Sequence, residues 1–583
     1  MKEMTWFFVP CLALSLCCAT LPCAGYSPAT AGPACGAGLP YVEYEAEDAA
    51  TNGSLLGPST TMAMNGGTLD DEIAAESSGR QAVKLSARGQ YLRFTARRRC
   101  NSIVLRYVIP DSPSGGGMDA SLSCWVKGSF NQELKLSSKV GWCYGANLDY
   151  LRTAGINVPG YGKNPASGGP FHLYDETHAL LGRQVPAGST ITLKVGPHDG
   201  AAWYVVDLVD LEEVAPPRTM PSGFVSITTC GAVAGGSDCS AAIQACVNSH
   251  RRVWIPGGNF ASLSAAIRVP AGTEMRGAGM WYSELSGYYA TLELNGDKEV
   301  FSDFMLDGAT TNRDEWVGDN GFNGKCGVGS SLSDLWIEHE KCGYWAGNGS
   351  GPTINGLLIR ACRIRDTYAD GVNLNQGASH STVTECNFRN TGDDAIASWS
   401  QLGFPPNTGN TFSHNTIQCP WRANGVALYG GTEARILGNA ISDTLNYPGI
   451  FVDQGFKSNP FGGGTEITDN VLSRCGGEFY GRGYGALTFC GKQGALAGSF
   501  KVSRLRILDP VYAGIEIRGP YGAGGESFDQ VRISHPGTVG VLVQLSTTGS
   551  ASFSHTVVTP ADAVGLKNLS SGFVVSQGAG NRW

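Results

Sequence analysis

A short motif returns through the second half of this chain and restricts the folds open to it. Gly371-Val-Asn-Leu374, Ala395-Ile-Ala-Ser398, Gly425-Val-Ala-Leu428, Gly449-Ile-Phe-Val452, Ala486-Leu-Thr-Phe489, Gly514-Ile-Glu-Ile517 and Gly540-Val-Leu-Val543 begin at intervals of 24, 30, 24, 37, 28 and 26 residues. A second series keeps phase with it: Cys362-Arg-Ile364, Cys386-Asn-Phe388, Asn415-Thr-Ile417, Asn439-Ala-Ile441 and Asn470-Val-Leu472. A period near 24 with several short strands per repeat predicts a solenoid, here a right-handed parallel β-helix. Alternation then places Val372, Leu374, Val426, Leu428, Ile450 and Val452 inside and Asn373, Ala427 and Phe451 outside. The unequal intervals are loops of different length that build a groove on one face.

Composition agrees. Glycine is 81 of 583 residues, about twice ordinary usage, and charged residues are only 16%. There is no Gly-X-Y period and too little charge for a disordered chain. A formal charge of −8 argues against nucleic acid or an anionic membrane as partner.

Lys2 followed by the apolar run Trp6 to Ala19 reads as a signal peptide over 1–25. Residues 26–39 read as a flexible lead-in. Residues 40–214 carry short strand-like runs between turns and read as a β-sandwich. The proline-rich stretch 215–222 reads as a stiff linker, and 223–583 as the β-helix, entered through a short capping helix from Ser240 to Asn248. Of 18 cysteines four lie in the signal, leaving 18 − 4 = 14, an even set suited to disulfides in an oxidising compartment.

Three carboxylates stand out in the β-helix. Asp370 and Asp394 are separated by 24 residues, one coil, and stack about 4.8 Å apart. Strict alternation would turn both inward with Val372 and Ile396; a bend before each strand is needed to turn them out. Asp393 adjoins Asp394. Three clustered acids repel, and at least one is expected to hold a proton near neutrality, as a general acid must. Paired with ionised carboxylates on the neighbouring coil, at the ~6.5–9.5 Å that admits a water, this suits inverting glycoside hydrolysis.

The stretch Asp-Thr-Tyr-Ala-Asp370-Gly-Val-Asn-Leu, with Phe-Arg-Asn-Thr-Gly-Asp393-Asp394-Ala-Ile-Ala-Ser-Trp-Ser400, resembles glycoside hydrolase family 87, the α-1,3-glucanases and mycodextranases. The resemblance implies an inverting enzyme with Asp393 as general acid and Asp370 and Asp394 activating the water; endo attack is the favoured reading, and the sequence leaves endo or exo action open. Asn373, Asn375 and Trp399 are the candidate sugar contacts. The opening Tyr44-Glu45-Ala46-Glu47 and closing Val206-Asp207-Leu208-Val209-Asp210 are similar to carbohydrate-binding modules of families 6 and 35. That similarity implies a structural Ca²⁺ on Glu45, Glu47 and Asp207, with Asp210 the alternative to Asp207. No cofactor is expected for catalysis. The expected partner is an α-glucan polysaccharide, with no nucleic acid and no membrane, and the chain is expected to be secreted and to act as a monomer.

Two other enzyme readings use the same fold. Polygalacturonases place acids similarly, but their Gly-His-Gly and Arg-Ile-Lys strings do not occur here. Polysaccharide lyases use a basic residue, for which Arg365 and Arg389 are the nearest in sequence. A non-enzymatic glycan-binding solenoid is the third alternative.

Overall fold

The computed structural model describes residues 35–583 except 62–66, 145–169, 263, 312, 314–318, 348–352, 480–481 and 561. The expected signal peptide and most of the lead-in fall outside these residues. Residues 40–214 form a sandwich of a six-stranded and a five-stranded sheet. Its first strand, Tyr41–Glu45, pairs antiparallel with its last, Tyr204–Glu212. Tyr44, Leu92, Phe94, Leu105, Leu193 and Val209 fill the space between the sheets.

Beyond it the chain coils into three parallel sheets of 14, 12 and 12 strands. The inward ladders follow the repeat. On the third sheet Val372, Ile396, Val426, Ile450, Leu487, Ile515 and Val541 stack in register, all fully buried. On the second, Ile364, Phe388, Ile417, Ile441, Leu472 and Ile507 do the same. Each such side chain contributes about 1.5–3 kcal/mol by leaving water. Between the first and second sheets Asn415, Asn439 and Asn470 form a ladder in which each carboxamide oxygen accepts the preceding asparagine's backbone N–H or each amide donates to a carbonyl of the coil before. This satisfies polar backbone at a buried bend. Helix Ser240–Ser249 closes the N-terminal end and is tied by the Cys230–Cys246 disulfide.

The cysteines differ from the expectation. Cys100, Cys124, Cys362, Cys386, Cys419 and Cys475 are buried and unbridged. Cys362 and Cys386 occupy the same bend as the asparagine ladder and pack as small apolar side chains, the backbone N–H of Cys362 lying 3.4 Å from the Cys386 sulfur.

The sandwich and the β-helix belong to one compact unit, Cys35–Trp583. The proline-rich segment lies against the β-helix: Arg218 donates its N–H to Ala278 and pairs with Asp303 at 2.8 Å, and Tyr282 donates to the carbonyl of Ala215. The end of the lead-in is pinned too, Gly36 donating to the carbonyl of Gly438. Across the interface, Arg365 and Arg389 sit in register on the outer side of the second sheet. Neighbouring cations of this kind repel unless countered. Glu176 of the sandwich meets both, at 2.6 and 2.7 Å, and Asp210 meets Arg389 at 3.0 Å. Burial alone would raise the Glu176 carboxyl, but Arg365 and Arg389 outweigh it and hold it at about 2. Both arginines are fully buried here and face away from the acidic cluster, which removes them as bases for a lyase.

Candidate active site

Asp370 and Asp394 each stand two residues before an inward ladder position, followed by Gly371 and Ala395. The bend at this point turns both carboxyls outward onto the floor of a pocket of about 290 Å³. Close approach explains Gly371: a Cβ there would lie 2.5 Å from the carbonyl oxygen of Ala395 and 2.7 Å from the Phe388 ring. Asp370, Asp393 and Asp394 present carboxylate oxygens within 4.8 Å of one another. This is closer than the coil spacing led us to expect for an acid and base with a water between them.

The three acids have different surroundings. Asp370 accepts hydrogen bonds from Asn373 Nδ2 (2.9 Å) and the backbone N–H of Asp394 (3.1 Å). Burial, then the charges of Asp393 and Asp394, push it well above the usual carboxylate range. Asp394 accepts from the backbone and side-chain amide of Asn424 and from the Tyr429 hydroxyl, at 3.1, 2.7 and 2.9 Å. Burial and Asp393 raise it to about 7, against those donors. Asp393 meets Arg313 at 2.6 Å and Arg422 at 2.5 Å. Burial would raise it also, but Arg422 and Arg313 prevail and hold it below the usual range. Asp393, the general acid that the resemblance implied, thus sits against two guanidinium groups that favour its ionised form.

Of the expected sugar contacts, Asn373 and Trp399 line the pocket. Trp399 is fixed by a bond from its Nε1 to the Phe456 carbonyl and faces Trp345 at 6.3 Å between ring centroids. Asn375 does not line it. It is buried one step behind, donating to Asn373 Oδ1, and Gly347 leaves the room its carboxamide needs. Its role is to hold Asn373. Sequence reasoning missed Arg313, Arg422, Asn424, Tyr429 and Trp345. Asn424 was detectable, since it precedes Val426 as Asp394 precedes Ile396. Arg313 stands outside the repeat and gave no signal.

Past Tyr447, Phe451 and Phe456, which border both, the pocket continues into a trough of about 560 Å³ flanked by Tyr484 and Tyr512. A polar floor of acids and amides under aromatic walls, on an open face of a β-helix, defines a polysaccharide-cleaving enzyme. Residues 38–214 match the model for α-1,3-glucanase catalytic domain D1 and residues 232–517 that for catalytic domain D2. The chain belongs to the glycoside hydrolase family 87 α-1,3-glucanases. It is similar to the catalytic unit of a thermostable α-1,3-glucanase from Streptomyces thermodiastaticus, with 32% identity, TM-score 0.81, and 94% of this chain and 97% of that one covered. It is similar also to the Agl-KA catalytic domain, with 26% identity, TM-score 0.82 and 95% and 100% covered. A family 87 catalytic domain solved with nigerose gives 26% identity, TM-score 0.79 and 94% and 100% covered. Aspartate-to-alanine variants solved with tetrasaccharides or nigerose alter three aspartates at the same intervals as Asp370, Asp393 and Asp394. No curated protein sequence matches the chain. The sandwich, whose opening and closing motifs led to the expectation of a carbohydrate-binding module, is thus matched by the model of a catalytic domain D1.

Glu45, Glu47 and Asp207 gather at the edge of the sandwich around the turn Ser78–Arg80. Ser78 donates its hydroxyl to Glu45 (2.8 Å) and its N–H to Asp207 (3.0 Å). Glu45 Oε2 and Glu47 Oε2 are buried without partners, and Asp207 pairs with Arg106. Burial raises Glu47 to about 8 and Asp207 to about 7. Unpartnered, buried carboxylate oxygens fit the oxygen donors that Ca²⁺ takes. Among the described residues, however, Glu45, Glu47 and Asp207 are not a set whose oxygens all come within 4.8 Å of one another, and Asp207 shares its charge with Arg106. Asp210, taken by Arg365 and Arg389, is not a ligand.

Proposed function

We propose that the protein is a secreted endo-α-1,3-glucanase that hydrolyses α-glucan with inversion. The division of protonation within one acidic cluster carries this reading. Asp370, which accepts from Asn373 and the Asp394 backbone and from no guanidinium group, holds the proton and passes it to the glycosidic oxygen. Asp394, held by Asn424 and Tyr429, and Asp393, held by Arg313 and Arg422, are the carboxylates that orient and deprotonate water. Carboxylates tied by so many donors are poorly disposed to attack carbon, which supports inversion despite their short separation. The aromatic walls suit the faces of neutral sugar rings. The trough beyond Phe456 gives room for further glucose units and supports attack within a chain.

The disulfide Cys230–Cys246 supports an oxidising compartment, in line with the apolar N-terminal run. Glu45 and Glu47, with Asp207 beside them, would hold a structural Ca²⁺ remote from the reaction. The test is incubation with pure α-1,3-glucan, mixed α-1,3/α-1,4-glucan, β-glucan and pectin, followed by product sizing. Oligosaccharides of several lengths from the α-1,3-linked polymers are expected. Release from pectin alone would overturn the reading, and unsaturated ends would mark a lyase.

A further inference from the structure

A cleft of about 470 Å³ lies where the sandwich, the proline-rich segment and the β-helix meet. Its β-helix wall comes from the second sheet and the bend leading into it, so it is separate from the catalytic floor on the third sheet. Trp281 and Tyr282 form one side. Both rings are fixed: Trp281 packs edge-on against Trp336 at 5.2 Å, and the Tyr282 hydroxyl is bonded to Ala215. Two donors here have no partner, Trp281 Nε1 and Arg363 Nη1, and Arg363 is only 4% exposed. Opposite them the Asp334 carboxylate accepts no hydrogen bond from the described residues, although burial and then Asp303 raise its proton affinity. The two donors are shut off from solvent, whereas the half-buried Asp334 carboxylate is open to the cleft, and a ligand that bonds it gains accordingly.

The chemistry selects the ligand. The charges around the cleft are largely met from within it, Arg218 by Asp303 and Arg363 by Glu212, with Asp334 and Glu385 beside them, so neither an anion nor a cation finds a site of one sign. A neutral molecule that offers hydroxyls as both donors and acceptors, and a carbon face to an aromatic ring, satisfies all of them. We infer that this cleft is a second, non-catalytic binding site for a strand of α-1,3-glucan. The inference rests on the glucan reading of the catalytic groove. A solid polymer held at a second site keeps the groove at high effective concentration over neighbouring chains.

The experiment uses the full chain carrying Asp370→Asn, so that polymer is bound and not consumed. It is mixed with insoluble α-1,3-glucan, sedimented, and compared with the same protein carrying Asp334→Gly or Trp281→Ala. Glycine suits position 334, whose φ is +53°. Melting temperatures confirm that each variant is folded. Each substitution should weaken sedimentation by about tenfold, the scale of one lost bond to a charged group or one lost aromatic contact. In the otherwise active chain Asp334→Gly should slow attack on insoluble glucan while leaving turnover of a soluble α-1,3-linked tetrasaccharide unchanged. If both variants sediment like their parent, the site is not there. If the unsubstituted chain hydrolyses the tetrasaccharide but the Asp370→Asn parent does not sediment, the site is likewise rejected and the catalytic reading stands. Failure to hydrolyse any α-1,3-linked substrate rejects the catalytic reading itself.

Discussion

Asp370 Oδ1 accepts the backbone N–H of Asp394 at 3.1 Å, from one coil to the next. Asp394 Oδ1 then accepts the backbone N–H of Asn424 at the same distance, one coil further on. The outward ladder that presents the acids thus also orients them, each carboxyl locked by the backbone below it. Asn424 ends the acidic part of this ladder with an amide, which donates to Asp394 and adds no further charge.

This arrangement separates the proton donor from its neighbours experimentally. Asp370→Asn, Asp393→Asn and Asp394→Asn should each lower hydrolysis of polymer by about 10²–10⁴-fold or more. α-Glucosyl fluoride needs no proton on its leaving group. On that substrate Asp370→Asn should recover most of its loss, while Asp394→Asn should not. Recovery confined to Asp393→Asn would return the acid role to that residue.

The pH profile tests the electrostatics. Arg313 lowers the proton affinity of Asp370 and of Asp393. Removing it in Arg313→Met lets both rise. The acid then keeps its proton to higher pH, and the carboxylate ionises later, so both limbs of kcat/KM should move to higher pH. A shift toward acid would contradict the assignment. Stability follows the same sign. Asp394 is raised in the folded state from its ordinary value to about 7. Its contribution is full below the ordinary carboxylate range and is lost as pH rises through about 7. Asp394→Asn should therefore flatten the decline in Tm between pH 4 and 7.5.

The sandwich is bound to the β-helix by buried charge, and breaking one partner should be costly. Arg389 pairs with Glu176, Asp210 and Glu43 without exposure to solvent. Arg389→Met leaves three carboxylates short of a counter-charge and should cost about 3–5 kcal/mol in denaturant unfolding. A loss under 1 kcal/mol would mean that the interface is wetter than the structure shows.

Much of this was legible in the residues because a solenoid writes its register into its period. The ladders of Val372 and Ile364, the stacking of Asp370 on Asp394 and the capping helix all follow from spacing. What depends on contact between distant segments was not. Arg365 and Arg389 recur at one-coil spacing and face outward, a sign that something covers them. The proline-rich stretch 215–222 instead suggested a spacer, and its bonds to Ala278 and Asp303 are local matters of geometry. Cysteine count likewise pointed to bridges, whereas Cys362 and Cys386 are interior ladder residues. Arg313 lies outside the repeat, and with Arg422 it pairs with Asp393.

Calcium should stabilise the sandwich edge. At 100 times its dissociation constant a ligand adds about 2.7 kcal/mol. EDTA should accordingly lower the Tm of the full chain by several degrees, with Ca²⁺ restoring it. Glu45→Gln with Glu47→Gln should abolish the response, since it removes the charge of the two carboxylates whose oxygens lack partners. An unchanged Tm in EDTA would show that Arg106 and Ser78 alone satisfy this cluster.

The stereochemical course is the most direct check on the roles given to the acids. Their oxygens lie within 4.8 Å of one another, nearer the ~5–5.5 Å of retaining enzymes than the ~6.5–9.5 Å of ordinary inverting pairs. Distance by itself would favour a covalent intermediate on Asp393 or Asp394. Their hydrogen bonding opposes this, because Asp394 is engaged at both oxygens and Asp393 is held by two arginines at one oxygen, Oδ2, which lowers its charge as a nucleophile. In the proposed mechanism a water held by these two carboxylates attacks in one step, which makes the new reducing end of an α-linked glucan β. Proton NMR of the anomeric region in the first minutes should show β-signals leading and α-signals growing as mutarotation proceeds. Products that begin as α would assign one of these aspartates as a nucleophile, in spite of the donors around it.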